Sequence, residues 1–219
     1  MTRVTPGHVY AAPVTSSPPA LSAASPPPSG GRSAGAQRVL DAALELFSEH
    51  GFEGTSLQDI ADRLGVTKAA VYYHFRTKDE LLLALVQPSF DDLLALVADA
   101  EARPAGARGG RTVDVGNYVE VLLRNRRVVA YLTRDATAMT RAAVLEQATA
   151  ARERTEAMLV GQHADALGAV WGGALMQALA GALMAAPADV SDEWLREELT
   201  ELGAHLIAGY RKAVRRREG

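Results

Sequence analysis

Between positions 56 and 78 the chain carries Ser56, Thr67, Lys68, Ala69, Tyr72, Tyr73, His74 and Lys78. These side chains suit contact with a nucleic-acid duplex better than bond-making chemistry. Lys68 can donate to the O6/N7 pair of a guanine, and the Ala69 methyl can meet the methyl of a thymine. Tyr72, Tyr73, His74 and Lys78 each offer a hydrogen to phosphate oxygens, contacts that position a protein on DNA without reading its sequence. Backbone N–H groups following Ser56, at a helix start, can do the same.

Such a surface needs short, well-bounded helices behind it. Ser56, with Asp59 three residues later, forms an acidic variant of the capping box. Leu57, Ile60, Ala61 and Leu64 then recur at helical spacing. Gly65 follows, and glycine suits the left-handed end of a helix. Val66 is apolar inside the turn, and Thr67 can cap a second helix with Ala70, Val71 and Phe75 turned inward. This spacing fits two short helices crossing steeply around a tight turn. The start of the second would enter a major groove. The same turn occurs in helical proteins that never meet DNA, and paired tyrosines often serve as half-buried anchors. The basic and aromatic outward side favours the DNA reading.

As a set, Gly65-Val66-Thr67, Val71-Tyr72-Tyr73-His74-Phe75 and Lys78-Asp79-Glu80-Leu81 resemble the DNA-binding domain of TetR-family bacterial transcriptional regulators. The likeness covers about residues 36–85, including VLDAALELFSEHGFEGTSLQDIADRLGVTKAAVYYHFRTKDELLLAL. It implies an all-α protein: a three-helix helix-turn-helix domain followed by a larger helical ligand-binding and dimerisation domain. By position it places Thr67, Lys68, Ala69 and Tyr72 on bases, and Ser56, Tyr73, His74 and Lys78 on phosphates. It further implies a homodimer on a palindromic double-stranded operator, repression released by a small apolar effector, and a cytoplasmic, nucleoid-associated location.

The rival is a helical interaction module without operator binding. Its support is the charge of the head: residues 32–80 hold six basic and eight acidic residues, a net of −2 before histidines. DNA binding would then rest on a local positive edge, helix N-termini and two heads, and would weaken steeply with salt.

The whole chain has 219 residues, a net charge of −3 and no cysteine. The charge argues against a nonspecific nucleic-acid coat protein. The absence of cysteine removes thiolate catalysis, disulfides and Cys-based zinc sites. No two of His8, His50, His74, His163 and His205 make a helical metal pair, and neither Gly-x-Ser-x-Gly nor a phosphate loop occurs. No enzyme, metal or cofactor is therefore expected. Residues 1–34 hold seven of the ten prolines and lack the pattern of a secretory signal. A disordered arm is expected there, inert or with Arg32 reaching a minor groove.

The resulting division is an arm (1–34), a DNA-binding domain (35–85) and a helical body (86–219). Helices are expected over 36–50, from 78 until Pro88 breaks or restarts the chain, and over 90–102. Breakers fill 103–110. Further helices are expected over 112–124, from 125 or 126 to 135, and over 142–160, 163–186 and 191–217. No strand pattern occurs.

Residues 166–186 contain no charge and are long enough to span a bilayer. They are rich in Ala and Gly and lack Lys or Arg at either end, so a helix buried all round is expected instead. With the last helix it is expected to form a four-helix dimer interface through Gly168, Gly172, Leu175, Leu179, Leu199, Leu202 and Leu206; the alternative is an ordinary intrachain core. An effector pocket is expected among Tyr118, Leu122, Tyr131, Met139, Met158, Trp171 and Met176, large side chains of which methionine adapts best to irregular cavities. Each would serve equally as plain core.

Overall fold

A computed structural model describes residues 32–104, 112–161, 165–187 and 189–219. The expected arm lies outside the described residues apart from positions 32–34, as does most of the breaker-rich loop. Every regular element among the described residues is an α-helix: α1 (Ala34–His50), α2 (Leu57–Leu64), α3 (Lys68–His74), α4 (Lys78–Glu101), α5 (Val115–Arg124), α6 (Arg126–Arg134), α7 (Ala136–Met139), α8 (Ala142–Val160), α9 (Ala166–Ala185) and α10 (Asp192–Glu218).

Short side chains set most of the helix starts. Ser33, Ser56, Thr67, Thr77, Asp114, Asp165 and Ser191 each accept a backbone N–H three residues ahead. Each such cap contributes about 1 kcal/mol. Gly65 ends α2 at φ 64° and Gly161 ends α8 at φ 89°, a region that side chains with a Cβ rarely adopt.

Pro88 does not end a helix. It sits inside α4, and the expected 90–102 helix is the second half of that element. An interior proline costs roughly 3 kcal/mol or more. Leu81, Leu82 and Val86 before it, and Phe90, Val97 and Ala100 after it, are all buried. At about 1.5–3 kcal/mol per large apolar side chain, that packing outweighs the lost hydrogen bond.

The core forms two clusters. One joins the inward sides of α1–α3 and the first half of α4 to Tyr131 of α6, Ala138 of α7, and Val144 and Ala151 of α8. The other joins the second half of α4 to α5, the end of α8, α9 and α10. α4 and α8 run through both, so position 85 lies inside α4 and the apolar interior continues from head to body.

By length and composition α4 and α9 could each cross a membrane. α9 is not buried all round. Leu175 and Leu179 are enclosed, while Val170 is 67% exposed. Gly168, Gly172, Leu175, Leu179 and Leu199, expected at a dimer interface, lie in the protomer's own interior. A Cβ on Gly172 would stand 2.9 Å from the Glu156 carbonyl oxygen of α8. Leu206 is half-buried against the second cluster. Of the seven, Leu202 alone counts among the exposed large side chains. The open stripe of α9 is instead Val170, Ala174, Gln177 and Gly181.

Candidate nucleic-acid interface

The capping box at Ser56 forms in full. Its hydroxyl accepts the Asp59 N–H at 3.2 Å, and Asp59 accepts the Ser56 N–H at 2.8 Å. That N–H, and next the Ser56 hydroxyl, hold the Asp59 carboxyl below its ordinary range. Val66 is half-buried in the turn, and its N–H donates to the Ala61 carbonyl at 3.0 Å. On α3, Val71 is fully enclosed, and Phe75 just beyond it is buried. Ala70, expected inward, is exposed; a seven-residue helix seated by Val71 and Phe75 leaves its first turn in solvent.

That exposure enlarges the outward surface. Thr67, Lys68, Ala69, Tyr72 and Tyr73 are all exposed. Tyr73 reaches 86% and Tyr72 42%, high values for large aromatic side chains that would otherwise be buried. The Lys68 ammonium stands 5.5 Å from the Tyr72 ring centre, which braces one side of its approach. Ser56, Lys68, Tyr72 and Arg76 together line a groove of about 430 Å³ between α2 and the end of α3.

His74 and Lys78 are placed differently. His74 is half-buried beside Gly35 at the start of α1, with its ring edge-on to Tyr73 at 5.1 Å. Lys78 turns inward. Its ammonium donates to the Phe52 carbonyl at 2.6 Å and lies 4.3 Å from the Phe52 ring centre. Lys78 thus has contacts inside the head, with the Glu53 carboxylate 3.8 Å away as well, while it remains half-buried and lines the same groove as Lys68 and Arg76. Arg76 was counted in the sequence only as a charge, yet it opens onto the groove. Its place one residue past the buried Phe75 was the available signal, since neighbours of an inward residue turn outward.

Two acidic residues, Glu53 and Asp59, share the groove with Lys68, Arg76 and Lys78; the others are engaged around it. Glu45 and Glu49 of α1 hold Arg63 at 3.5 and 2.7 Å, and Arg63 keeps the Glu49 carboxyl below its ordinary range. Asp62 accepts from Gln58, Asp79 from Arg141, and Glu80 from the Arg76 N–H. α3 itself contains no acidic residue.

The seven expected effector residues do not share one cavity. Tyr131 and Met139 belong to the first cluster. Tyr118, Leu122, Met158 and Met176 belong to the second. Trp171 packs on Tyr210, ring centres 6.2 Å apart. A cleft of about 640 Å³ opens elsewhere, over Val113, Leu159, Ile207 and Val214, with Arg211 and Arg215 beside it. Its lining comes from segments that meet only in three dimensions, beyond the reach of a pattern along one helix.

The family model described as "Bacterial regulatory proteins, tetR family" matches residues 39–85. The HTH-type transcriptional regulator AcrR of Shigella flexneri is 39% identical over 70 residues, covering 32% of this chain and 33% of that protein. The biofilm operon icaADBC HTH-type negative transcriptional regulator IcaR of Staphylococcus aureus (strain Newman) is 43% identical over 56 residues, 26% of this chain and 30% of that one. The match thus spans about a third of the length of these curated relatives. Likeness over the longer chain is one of fold. The ketosteroid transcriptional regulator KstR2 of Mycobacterium tuberculosis superposes with a TM-score of 0.63 at 16% identity, covering 82% of this chain and 96% of that one. A transcriptional regulator (TerR/AcrR family) from Aquifex aeolicus VF5 gives 0.57 at 23% identity, covering 79% and 99%.

Proposed function

Residues 39–85 are a TetR-family regulator domain, and from that premise we propose that the chain is a sequence-specific transcriptional regulator, a repressor that binds a palindromic operator as a homodimer. The observation that carries this reading is the exposed, acid-free surface of α3, where Lys68, Ala69, Tyr72 and Tyr73 project beside the α2 start. Lys68 and Ala69, at the beginning of α3, are the base readers. Tyr72, Tyr73, Arg76 and the first N–H groups of α2 take phosphates.

The second subunit docks on the open stripe of α9 and on the exposed side chains Trp194 (46% exposed) and Leu202 (37% exposed) of α10. Two heads then meet half-sites about one helical turn apart, on the order of 34 Å. A small effector, apolar in its main part, binds the body. We place it in the cleft over Val113, Leu159 and Ile207. It releases DNA to the extent that it favours a body whose heads are wrongly spaced. The setting that follows from this role is the bacterial cytoplasm.

Selection of duplexes from a random library by the purified chain tests the proposal. Enrichment of one inverted repeat supports it. A folded dimer that enriches nothing removes operator binding and favours the helical interaction module.

A further inference from the structure

α4 is the covalent link between head and body, and the apolar cluster that Tyr131, Ala138, Val144 and Ala151 share with α1–α4 holds the two together without directed contacts. Two body residues add direction. Asp135, at the joint of α6 and α7, accepts the Phe52 N–H at 2.7 Å and the Tyr131 hydroxyl at 3.2 Å on one carboxylate oxygen. Its other oxygen accepts the Thr137 and Ala138 N–H groups that open α7. Arg141, just before α8, donates to both Asp79 oxygens at 2.6 and 2.8 Å. Its guanidinium lies 5.3 Å from the Phe52 ring centre. The four-residue α7 therefore has a head-directed contact at each end.

The points gripped belong to different parts of the head. Phe52 lies in the loop between α1 and α2, and Asp79 in the first turn of α4. Tyr131, whose hydroxyl donates to the same Asp135 oxygen as the Phe52 N–H, stacks on Phe47 of α1 at 5.8 Å. An exposed ion pair contributes little to stability, but a two-point fork fixes direction as well as distance. None of these groups lies on the exposed side of α3.

We infer that Asp135 and Arg141 are positioning residues that set the tilt of the reading head on the body, and through it the half-site spacing that the dimer accepts. The spacing half of this inference rests on the proposed operator binding; the tilt half does not.

The chain contains no cysteine, so cysteines placed at Asp41 on α1 and Glu201 on α10, both exposed, would carry spin labels at defined sites. The labelled protein, diluted with unlabelled chain, gives a head-to-body distance distribution without DNA. Asp135→Ala and Arg141→Gln should each widen it at least about twofold, as expected when a local restraint is lost. Asp135→Asn, which keeps an acceptor for the α7 cap, should widen it too if the alanine variant folds poorly. Asp114→Ala, which removes the α5 cap far from the head, should lower stability without widening it. Distributions as narrow in the Asp135 and Arg141 variants as in Asp114→Ala overturn the inference. In the second arm, duplexes with varied half-site spacing are competed. Loss of spacing preference by Asp135→Asn, with single half-site affinity unchanged, supports the link to DNA. An unchanged preference, or equal weakening at every spacing, overturns it. A wild-type chain that binds no duplex removes the operator reading together with the spacing half, while the label widths still decide the tilt.

Discussion

α2–α3 and α9–α10 are both helical pairs, yet they differ in what sets their orientation. α2 and α3 are short, and polar residues mark their outward sides. Each has a capping residue, and Gly65 closes the first at positive φ. α9 has twenty residues without a charge, so its ends are marked by Asp165 and the break after Ala185 but its sides are not. Caps locate a helix along the chain. Only contrast between polar and apolar positions says which way it faces.

The largest effect that sharpens this contrast lies in α9. Leu175→Ala or Leu179→Ala removes a buried side chain and should cost about 2–5 kcal/mol in urea unfolding. Val170→Ala, on the open side of the protomer, should stay within about 0.5 kcal/mol when unfolding is followed at concentrations below dimerisation. Similar losses at all three positions there would mean that the protomer itself encloses α9 on every side. Next is association: Val170→Arg should weaken the dimer at least about tenfold in sedimentation while protomer unfolding barely changes, because the charge would be desolvated only at the interface. A dimer indifferent to this change uses another surface.

Smaller effects are expected in the head. Gly65→Ala forces a Cβ into the left-handed region and should cost roughly 1–2 kcal/mol, even though no atom lies within 4 Å of that Cβ. Ser56→Ala should cost about 1 kcal/mol through the lost cap. Thermal unfolding of both variants checks this order. The smallest effect is on the acid side. The Ser56 N–H holds Asp59 below 3.8, and the Arg141 fork holds Asp79 below the same value. Their contribution is complete above 3.8 and is lost as pH falls through the still lower values in the folded protein. Asp59→Asn should therefore flatten the stability profile below that pH and leave its shape near neutrality unchanged.

The head was the more legible region for the same reason. Ser56, Thr67 and Gly65 each announce a helix end through local backbone chemistry, and Lys68, Tyr72 and Tyr73 face outward where the pattern placed them. Lys78 was only partly legible: its length also lets the ammonium fold back onto the Phe52 carbonyl, a contact that spacing alone does not encode. Pro88 misled because its local penalty is overruled by burial contributed from α5 and α8. In the body, Leu175 and Leu199 fitted a partner surface and an internal seam equally well. Their burial in the second cluster, with Gly172 close against Glu156, shows that the protomer uses them as a seam. Tyr118 and Tyr131 were paired as pocket residues by size, although tertiary packing assigns them to different clusters.

The most direct test of the central claim is the affinity of the selected duplex, and of unrelated duplexes, for the Lys68→Ala, Tyr72→Ala double variant, measured beside wild type. With melting and dimerisation unchanged, the surface of α3 as reader predicts an affinity loss of roughly a hundredfold or more for the selected duplex and a weaker preference for it over unrelated duplexes. Binding within twofold of wild type, with the preference kept, would mean that α3 is not the element that reads DNA.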